Sequence, residues 1–152
     1  MKIIFLDIDG VLNSENYYRT VDRSKKDWVR FDPKVVEFIK KLSNEFSARI
    51  VISSTWRFGA IKQLDSELKK SGMIKYLHKD WKTPQLYPPH KGKEIKSWLD
   101  IHSGILEYVI LDDDDSILEE QESRFVKTEL MNGMLVEHYN LAKEILSREI
   151  LN

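Results

Sequence analysis

The residues Lys2-Ile3-Ile4-Phe5-Leu6-Asp7-Ile8-Asp9-Gly10 predict the architecture of the chain, because a short apolar run ends abruptly in an Asp-x-Asp-Gly turn. Such a run is typical of a strand that is buried on both faces of a sheet. Two further apolar runs, 49–52 and 108–111, also end in clusters of polar residues. We therefore predict three buried strands, each followed by polar side chains at its carboxyl end.

Helical patterns separate these apolar runs. Asp32 and Pro33 predict a helix start, as N-cap and first helical residue, and a second helix over about 60–70 ends before Gly72. Further helices are predicted at 93–99 and 137–150, short strands near 74–77 and at 125–128, and irregular chain at 13–30 and in the rest of 73–90. This alternation predicts an α/β fold, a Rossmann-like three-layer sandwich with a mostly parallel central sheet.

Composition excludes several classes of protein. The chain has 152 residues, 41% of them hydrophobic, and a formal net charge of −1, which predicts a single domain over 1–152 and argues against a strongly basic nucleic-acid binder. The lack of cysteine excludes disulfides, cysteine zinc sites and a thiol nucleophile. The first apolar run is too short for a signal peptide, and no stretch approaches the roughly 20 apolar residues of a membrane helix. We expect a soluble, cytoplasmic protein with no membrane association and no obligate protein partner.

The ends of the three predicted strands carry the candidate chemistry. They are followed by Asp7 and Asp9, by Ser53-Ser54-Thr55, and by four aspartates at 112–115. In an open parallel sheet these ends border one crevice, where ligands bind. Paired carboxylates suit Mg²⁺, and one of them can attack phosphorus while the other carries a proton. A plain Asp-Gly turn and a solvated acidic loop are the alternative interpretations.

Hydroxyl and amino groups complete the pattern. Ser53-Ser54-Thr55 precedes a predicted helix, so it can cradle a phosphate or simply cap that helix. Lys91 and Lys93 stand on either side of Gly92 at the start of another helix. A lysine there can neutralise phosphate oxygens, although an exposed surface lysine is the alternative.

Together these segments resemble the haloacid dehalogenase (HAD) superfamily of phosphotransferases. The stretch from Ile4 to Asn13 is similar to its first signature, and a Ser/Thr, a Lys and an acidic pair follow in the family's order. Segments 53–57, 91–99 and 109–113, with the tail from 125 onward, are similar to small capless HAD domains associated with RNA-repair systems. The resemblance covers essentially the whole chain and implies a fold without a folded cap.

The resemblance also implies roles for the acidic residues. Asp7 would be the nucleophile that forms an aspartyl-phosphate, and it would also bind Mg²⁺. Asp9 would be the general acid and base, with its backbone carbonyl on the metal. Asp113 would be the main metal carboxylate and Asp112 its partner.

The resemblance implies phosphate ligands as well. Ser54, helped by the amide of Thr55, would bind the phosphoryl group, and Ser53 is the competing choice. Lys91 fits the family's pattern better than Lys93, which remains the alternative.

Residues 13–30 stand where HAD enzymes carry one of their caps, and they are too few to fold as one. This segment, here called the basic flap, has five cationic side chains against three acidic ones, with aromatic residues between them. Aromatic rings can stack on bases, although a solvated segment packed on the domain is the alternative. The candidate substrate contacts in it are Arg19, Arg23, Lys25, Lys26 and Trp28.

These observations predict a Mg²⁺-dependent phosphatase that acts through an aspartyl-phosphate. Its phosphorylated substrate would be a nucleic-acid 3′-phosphate end or a nucleotide. A small-metabolite phosphatase, a phosphotransferase to another acceptor, and a non-catalytic module that binds phosphate or metal are the alternatives.

Overall fold

The computed structural model describes residues 1–149, and its sheet contains five strands in that part of the chain. They are β1 (Lys2–Leu6), β2 (Ala48–Ile52), β3 (Leu77–Lys82), β4 (Glu107–Asp112) and β5 (Phe125–Lys127). Their order is β3-β2-β1-β4-β5, and all neighbouring pairs are parallel. The sheet is thus wholly parallel where a mostly parallel one was predicted, and β1 lies at its centre.

Six α-helices connect or follow the strands in the described residues. They are α1 (Glu15–Thr20), α2 (Pro33–Phe46), α3 (Trp56–Gly59), α4 (Ile61–Ser71), α5 (Lys91–Asp100) and α6 (Val136–Leu146), with 3₁₀ turns at Ile74–Tyr76 and Glu119–Arg124. The predicted start of α2 is confirmed, because the Asp32 carboxylate accepts a hydrogen bond from the Lys34 amide at 3.0 Å. Of the helices over 1–149, none is long and apolar enough to cross a membrane.

The core lies on both faces of the sheet, because side chains alternate along β1. Ile4 and Leu6 are fully buried in the larger core, which also receives apolar residues from α2, α4 and α6. Ile3 and Phe5 point to the opposite face and pack with residues of α5. The predicted three-layer α/β sandwich is confirmed.

The strand predicted near 74–77 is misplaced. Residues 74–76 form a 3₁₀ turn, and β3 runs from Leu77 to Lys82 within the stretch predicted to be irregular. β3 is an edge strand whose residues are mostly half-buried or exposed. It therefore lacks the continuous apolar run that marks a central parallel strand.

Other differences lie at helix ends and in short helices. α1 was predicted as irregular chain, and it buries none of its residues, so it has no apolar stripe in the sequence. α3 is only four residues long and was also missed. α5 begins two residues earlier than predicted, and α6 covers 136–146 where 137–150 was predicted; residue 150 lies outside the described residues.

The chain between β1 and α2 forms no separate cap in the described structure, and it is fastened at both ends. At its start, the Glu15 amide donates to the Leu130 carbonyl at 3.0 Å. At its end, the Arg30 amide donates to the buried Glu67 carboxylate at 3.1 Å. The basic flap is therefore joined to the rest of the domain by a backbone-amide hydrogen bond near each end.

Candidate active site

Strand register brings the predicted polar clusters to one level of the sheet. Leu6 pairs with Ile52 on one side and with Leu111 on the other. Asp7, Ser53 and Asp112 directly follow these three paired residues, so they lie side by side at the carboxyl end of the sheet. Asp7 and Ser53 border a crevice of about 600 Å³ at the carboxyl edge of the sheet, where the strand order reverses, and Asp112 is fully buried beside them.

Three carboxylates meet at the floor of this crevice. One oxygen each from Asp7, Asp112 and Asp113 lies within 4.8 Å of the other two. Asp112 is fully buried, and an ammonium nitrogen lies 2.8 Å from its Oδ2. Asp114 and Asp115 are exposed and stand outside this group. The run of four aspartates thus divides into two inner and two outer carboxylates.

That ammonium belongs to Lys91, the first residue of α5. Its Nζ lies 3.3 Å from Asp7 Oδ1 and 2.8 Å from Asp112 Oδ2. Lys93 is exposed and does not line the crevice, so of the two candidate lysines only Lys91 faces the carboxylates.

A β-carbon on Gly92 would lie 2.7 Å from the Leu118 amide nitrogen. Glycine at that position therefore allows the chain after β4 to pack closely against the first turn of α5.

Lys91 contacts two of these carboxylates, and the pKa values of Asp112, Asp113 and Lys91 itself are shifted. Burial raises the pKa of Asp112 to about 8; the charge of Asp7 adds to the rise and Lys91 opposes it. Burial and Asp7 also raise the pKa of Asp113. Burial works against the charge on Lys91, but Asp7 and Asp112 outweigh it and raise that pKa. The excess of negative charge and the oxygen-only donors fit a hard divalent cation such as Mg²⁺.

Asp9 lies apart from this group, and its carboxylate is exposed. Its Oδ1 accepts a hydrogen bond from Asn13 Nδ2 at 2.9 Å, and its Oδ2 accepts one from Trp56 Nε1 at 2.9 Å. Asn13 Nδ2 also lies 2.9 Å from the Tyr18 hydroxyl. The predicted acid/base residue therefore stands at the rim of the crevice, held by side chains to which sequence reasoning assigned no role.

Both candidate serines line the crevice, as does Thr55. The Ser54 hydroxyl accepts a hydrogen bond from the Trp56 amide at 3.2 Å. The Ser53 hydroxyl is buried and has no hydrogen-bond partner among the described residues. Either hydroxyl can donate its proton to a phosphoryl oxygen, so Ser53 and Ser54 both remain candidates.

A buried arginine that sequence reasoning left without a role holds these residues in place. The side chain of Arg57 is only 3% exposed, and its guanidinium donates hydrogen bonds to three segments around the crevice. The acceptors are the carbonyls of Ser53, Ser54, Thr83 and Pro84 and the carboxylate of Glu94. The only sequence signal was its place in the Ser-Ser-Thr-Trp-Arg stretch. Its contacts join the ends of β2 and β3 to α5.

The basic flap lies beside Asp9, and its aromatic and cationic side chains stack on one another. The guanidinium carbon of Arg23 lies 5.1 Å from the centre of the Tyr18 ring and 5.9 Å from that of Trp28. Arg30 lies over the same Trp28 ring at 4.9 Å. The five predicted flap contacts do not line the crevice itself: Arg19, Arg23, Lys25, Lys26 and Trp28. The structure therefore places them outside the carboxylate site, on the surface next to it.

Comparison with known proteins gives one finding. A family model described as "HAD domain in Swiss Army Knife RNA repair proteins" matches residues 3–139, a range that contains every site residue described above. No curated protein and no solved structure matches the chain.

Proposed function

The chain belongs to the HAD domains of Swiss Army Knife RNA repair proteins, and on that premise we propose that it is a Mg²⁺-dependent phosphatase acting through Asp7. Membership of the HAD family implies phosphatase-type hydrolase chemistry. The position of Asp7 is the observation that best supports its assignment as the nucleophile. Its carboxylate lies where the ends of β1, β2 and β4 meet the first turn of α5, beside Lys91, the buried Asp112 and the half-buried Asp113.

The proposed reaction has two displacements. In the first, a carboxylate oxygen of Asp7 bonds to phosphorus, the bond from phosphorus to the leaving oxygen breaks, and Asp9 gives its proton to that oxygen. In the second, water attacks phosphorus while Asp9 takes a proton from it. The bond between Asp7 and phosphorus then breaks, which releases inorganic phosphate.

The other residues of the crevice would bind and neutralise the phosphoryl group. Lys91 and the Ser54 hydroxyl, with the Thr55 amide, would hold its oxygens as negative charge develops on them. Asp7, Asp112 and Asp113, with the Asp9 carbonyl, would hold Mg²⁺, which when bound supplies positive charge to the phosphoryl oxygens. Three carboxylate oxygens within 4.8 Å of one another support this assignment, because Lys91 contacts only two of these residues.

For the substrate we propose a nucleic-acid 3′-phosphate end, or a nucleotide. The description of the matching family names RNA repair. The described chain between β1 and α2 forms no folded cap, and Arg23 and Arg30 make no ion pair with a carboxylate in the described residues. These cations lie next to the rim where Asp9 stands, so they can meet the phosphates of a chain whose end enters the crevice.

The test is phosphate release by the wild-type protein and by Asp7→Asn. The substrates are p-nitrophenyl phosphate and a 3′-phosphorylated oligonucleotide, each with Mg²⁺ or EDTA. We expect Mg²⁺-dependent release that Asp7→Asn abolishes and that Asp65→Asn, an exposed aspartate on α4, leaves unchanged. Substantial turnover by Asp7→Asn would contradict the nucleophile assignment.

The same assay separates the alternatives. A folded wild-type protein that releases no phosphate from any phosphoester would favour a non-catalytic binding module. Phosphorylated products formed with added alcohols would indicate a phosphotransferase. Preference for small phosphorylated metabolites over oligonucleotides would contradict the proposed substrate.

A further inference from the structure

Asp9 is held by one donor on each of its carboxylate oxygens. Asn13, four residues along the same turn, bonds to Oδ1, and the indole N–H of Trp56 bonds to Oδ2, both at 2.9 Å. An indole offers a single donor and no acceptor, so this contact has only one possible sense. Each carboxylate oxygen has a second lone pair, which leaves room for the proton that an acid must carry.

Trp56 is itself fixed from two directions. Its ring packs on the larger core, with its centre 6.1 Å from that of Phe31. Its backbone amide donates to the Ser54 hydroxyl at 3.2 Å. One residue therefore contacts the phosphate-binding turn through its main chain and Asp9 through its side chain.

From this geometry we infer that Trp56 is a positioning residue, which sets the place of the Asp9 carboxylate relative to the phosphoryl site. The inference rests on the proposed function of Asp9 as general acid. An aspartate at an exposed rim can rotate freely about its side-chain bonds, and a displacement of about 1 Å can reduce a rate 100-fold. The Trp56 N–H limits that freedom at Oδ2, as Asn13 does at Oδ1, and it does so from the chain that follows β2.

The test is Trp56→Phe, which keeps an aromatic ring on Phe31 and removes the N–H. A leaving alkoxide needs a proton, whereas a nitrophenolate does not, so the two kinds of substrate depend differently on Asp9. We expect kcat/KM for a nucleoside 3′-monophosphate to fall about 10- to 100-fold and that for p-nitrophenyl phosphate to change little. Trp81→Phe, a partly buried indole of β3 that does not line the crevice, is the matched control.

Equal losses with both substrates, or no loss with either, would overturn the inference, because a merely structural or unneeded tryptophan gives those results. Absence of turnover by the wild-type protein would instead contradict the proposed function.

The hydrogen bond between Trp56 and Asp9 can be tested separately by NMR of the ¹⁵N-labelled protein. The Trp56→Phe variant identifies the indole N–H signal of Trp56, because that signal is absent from its spectrum. In the Asp9→Ala variant this signal is expected to shift, and its proton is expected to exchange faster with solvent. An unchanged signal in Asp9→Ala would overturn the contact itself.

Discussion

The carboxyl group of Asp113 occupies the space where a side chain at Gly10 would begin. A β-carbon on Gly10 would lie 2.6 Å from both Cγ and Oδ2 of Asp113, closer than such atoms can approach. Gly10 also has a φ of 79°, in the region that favours glycine. The turn after β1 and the chain after β4 therefore fit together only because residue 10 has no side chain.

Gly10→Ala is expected to displace Asp113 and to weaken Mg²⁺ binding. Isothermal titration with Mg²⁺ measures this directly. Gly104→Ala is a matched control, since Gly104 has a φ of 77° but nothing within 4 Å of its added β-carbon. The control carries the same backbone strain, so an equal loss of Mg²⁺ binding in both variants would argue against the steric explanation.

Lys91→Met is expected to reduce kcat about 100- to 1000-fold, because it removes the ammonium that contacts Asp7 and Asp112. Lys93→Met, two residues along the same helix, removes an exposed charge and is expected to change kcat little. Steady-state kinetics of both variants with p-nitrophenyl phosphate provide the comparison. A larger loss in Lys93→Met would transfer the phosphate role to that residue.

Removal of the Ser54 hydroxyl should raise KM for phosphate esters more than removal of the Ser53 hydroxyl. The Ser54 oxygen already accepts a hydrogen bond from the Trp56 amide, which orients its O–H, whereas the Ser53 hydroxyl is buried and has no hydrogen-bond partner within 1–149. Steady-state kinetics of Ser54→Ala and Ser53→Ala, together with inhibition by inorganic phosphate, measure this difference. The reverse order of effects would assign the phosphate contact to Ser53.

In the metal-free protein, the stability that the protonated Asp112 contributes should be lost as the pH rises from about 4 to about 8. Burial raises the pKa of Asp112 to about 8, against an ordinary value of 3.8, so the folded state holds a proton that the unfolded chain releases. Folding is then most favoured below this range and weakens through it. Thermal unfolding in EDTA across this range measures the slope.

Mg²⁺ is expected to restore stability most at the upper end of that range, because the metal replaces the proton among the carboxylates. Asp112→Asn should flatten the pH dependence and abolish the Mg²⁺ effect. A pH slope in Asp112→Asn equal to that of the wild type would show that another group is responsible.

Charge reversal of Lys25 and Lys26 should slow oligonucleotide substrates more than p-nitrophenyl phosphate. If both lysines contact backbone phosphates, the slope of log kcat/KM against log salt should also decrease in magnitude by about 1.4 to 2. Lys34→Glu with Lys41→Glu, two exposed positions on α2, makes the same change in net charge elsewhere. Equal effects of the two double variants, or equal effects on both substrates, would remove the basic flap from substrate binding.

The central strands could be predicted because burial on both faces requires continuous apolar residues, as in Ile3 to Leu6. β3 could not, since an edge strand needs only half of its residues to be apolar. α1 and α3 escaped prediction for a related reason: one is a helix without buried residues, and the other is a single turn.

Much of the site followed from a single rule about parallel sheets, which brings the residues after each strand to one edge. From the sequence alone, that rule predicts that Asp7, Ser53 and Asp112 lie close together. It does not specify side-chain contacts between elements, and the bond from Trp56 to Asp9 spans 47 positions of the chain. Such contacts depend on the direction of one short helical turn, which no local sequence pattern encodes.

The anchoring of residues 13–30 at Leu130 and Glu67 has a consequence for the catalytic cycle. Capped enzymes commonly wait for a lid to close before chemistry and to open before the product departs. Residues 13–30 are joined to the domain near both ends and form a ledge beside the crevice, so if the proposed polynucleotide is the substrate, we expect its end to enter and leave without such a step. The rest of a long strand would extend along the ledge into solvent, and its length would place no limit on turnover.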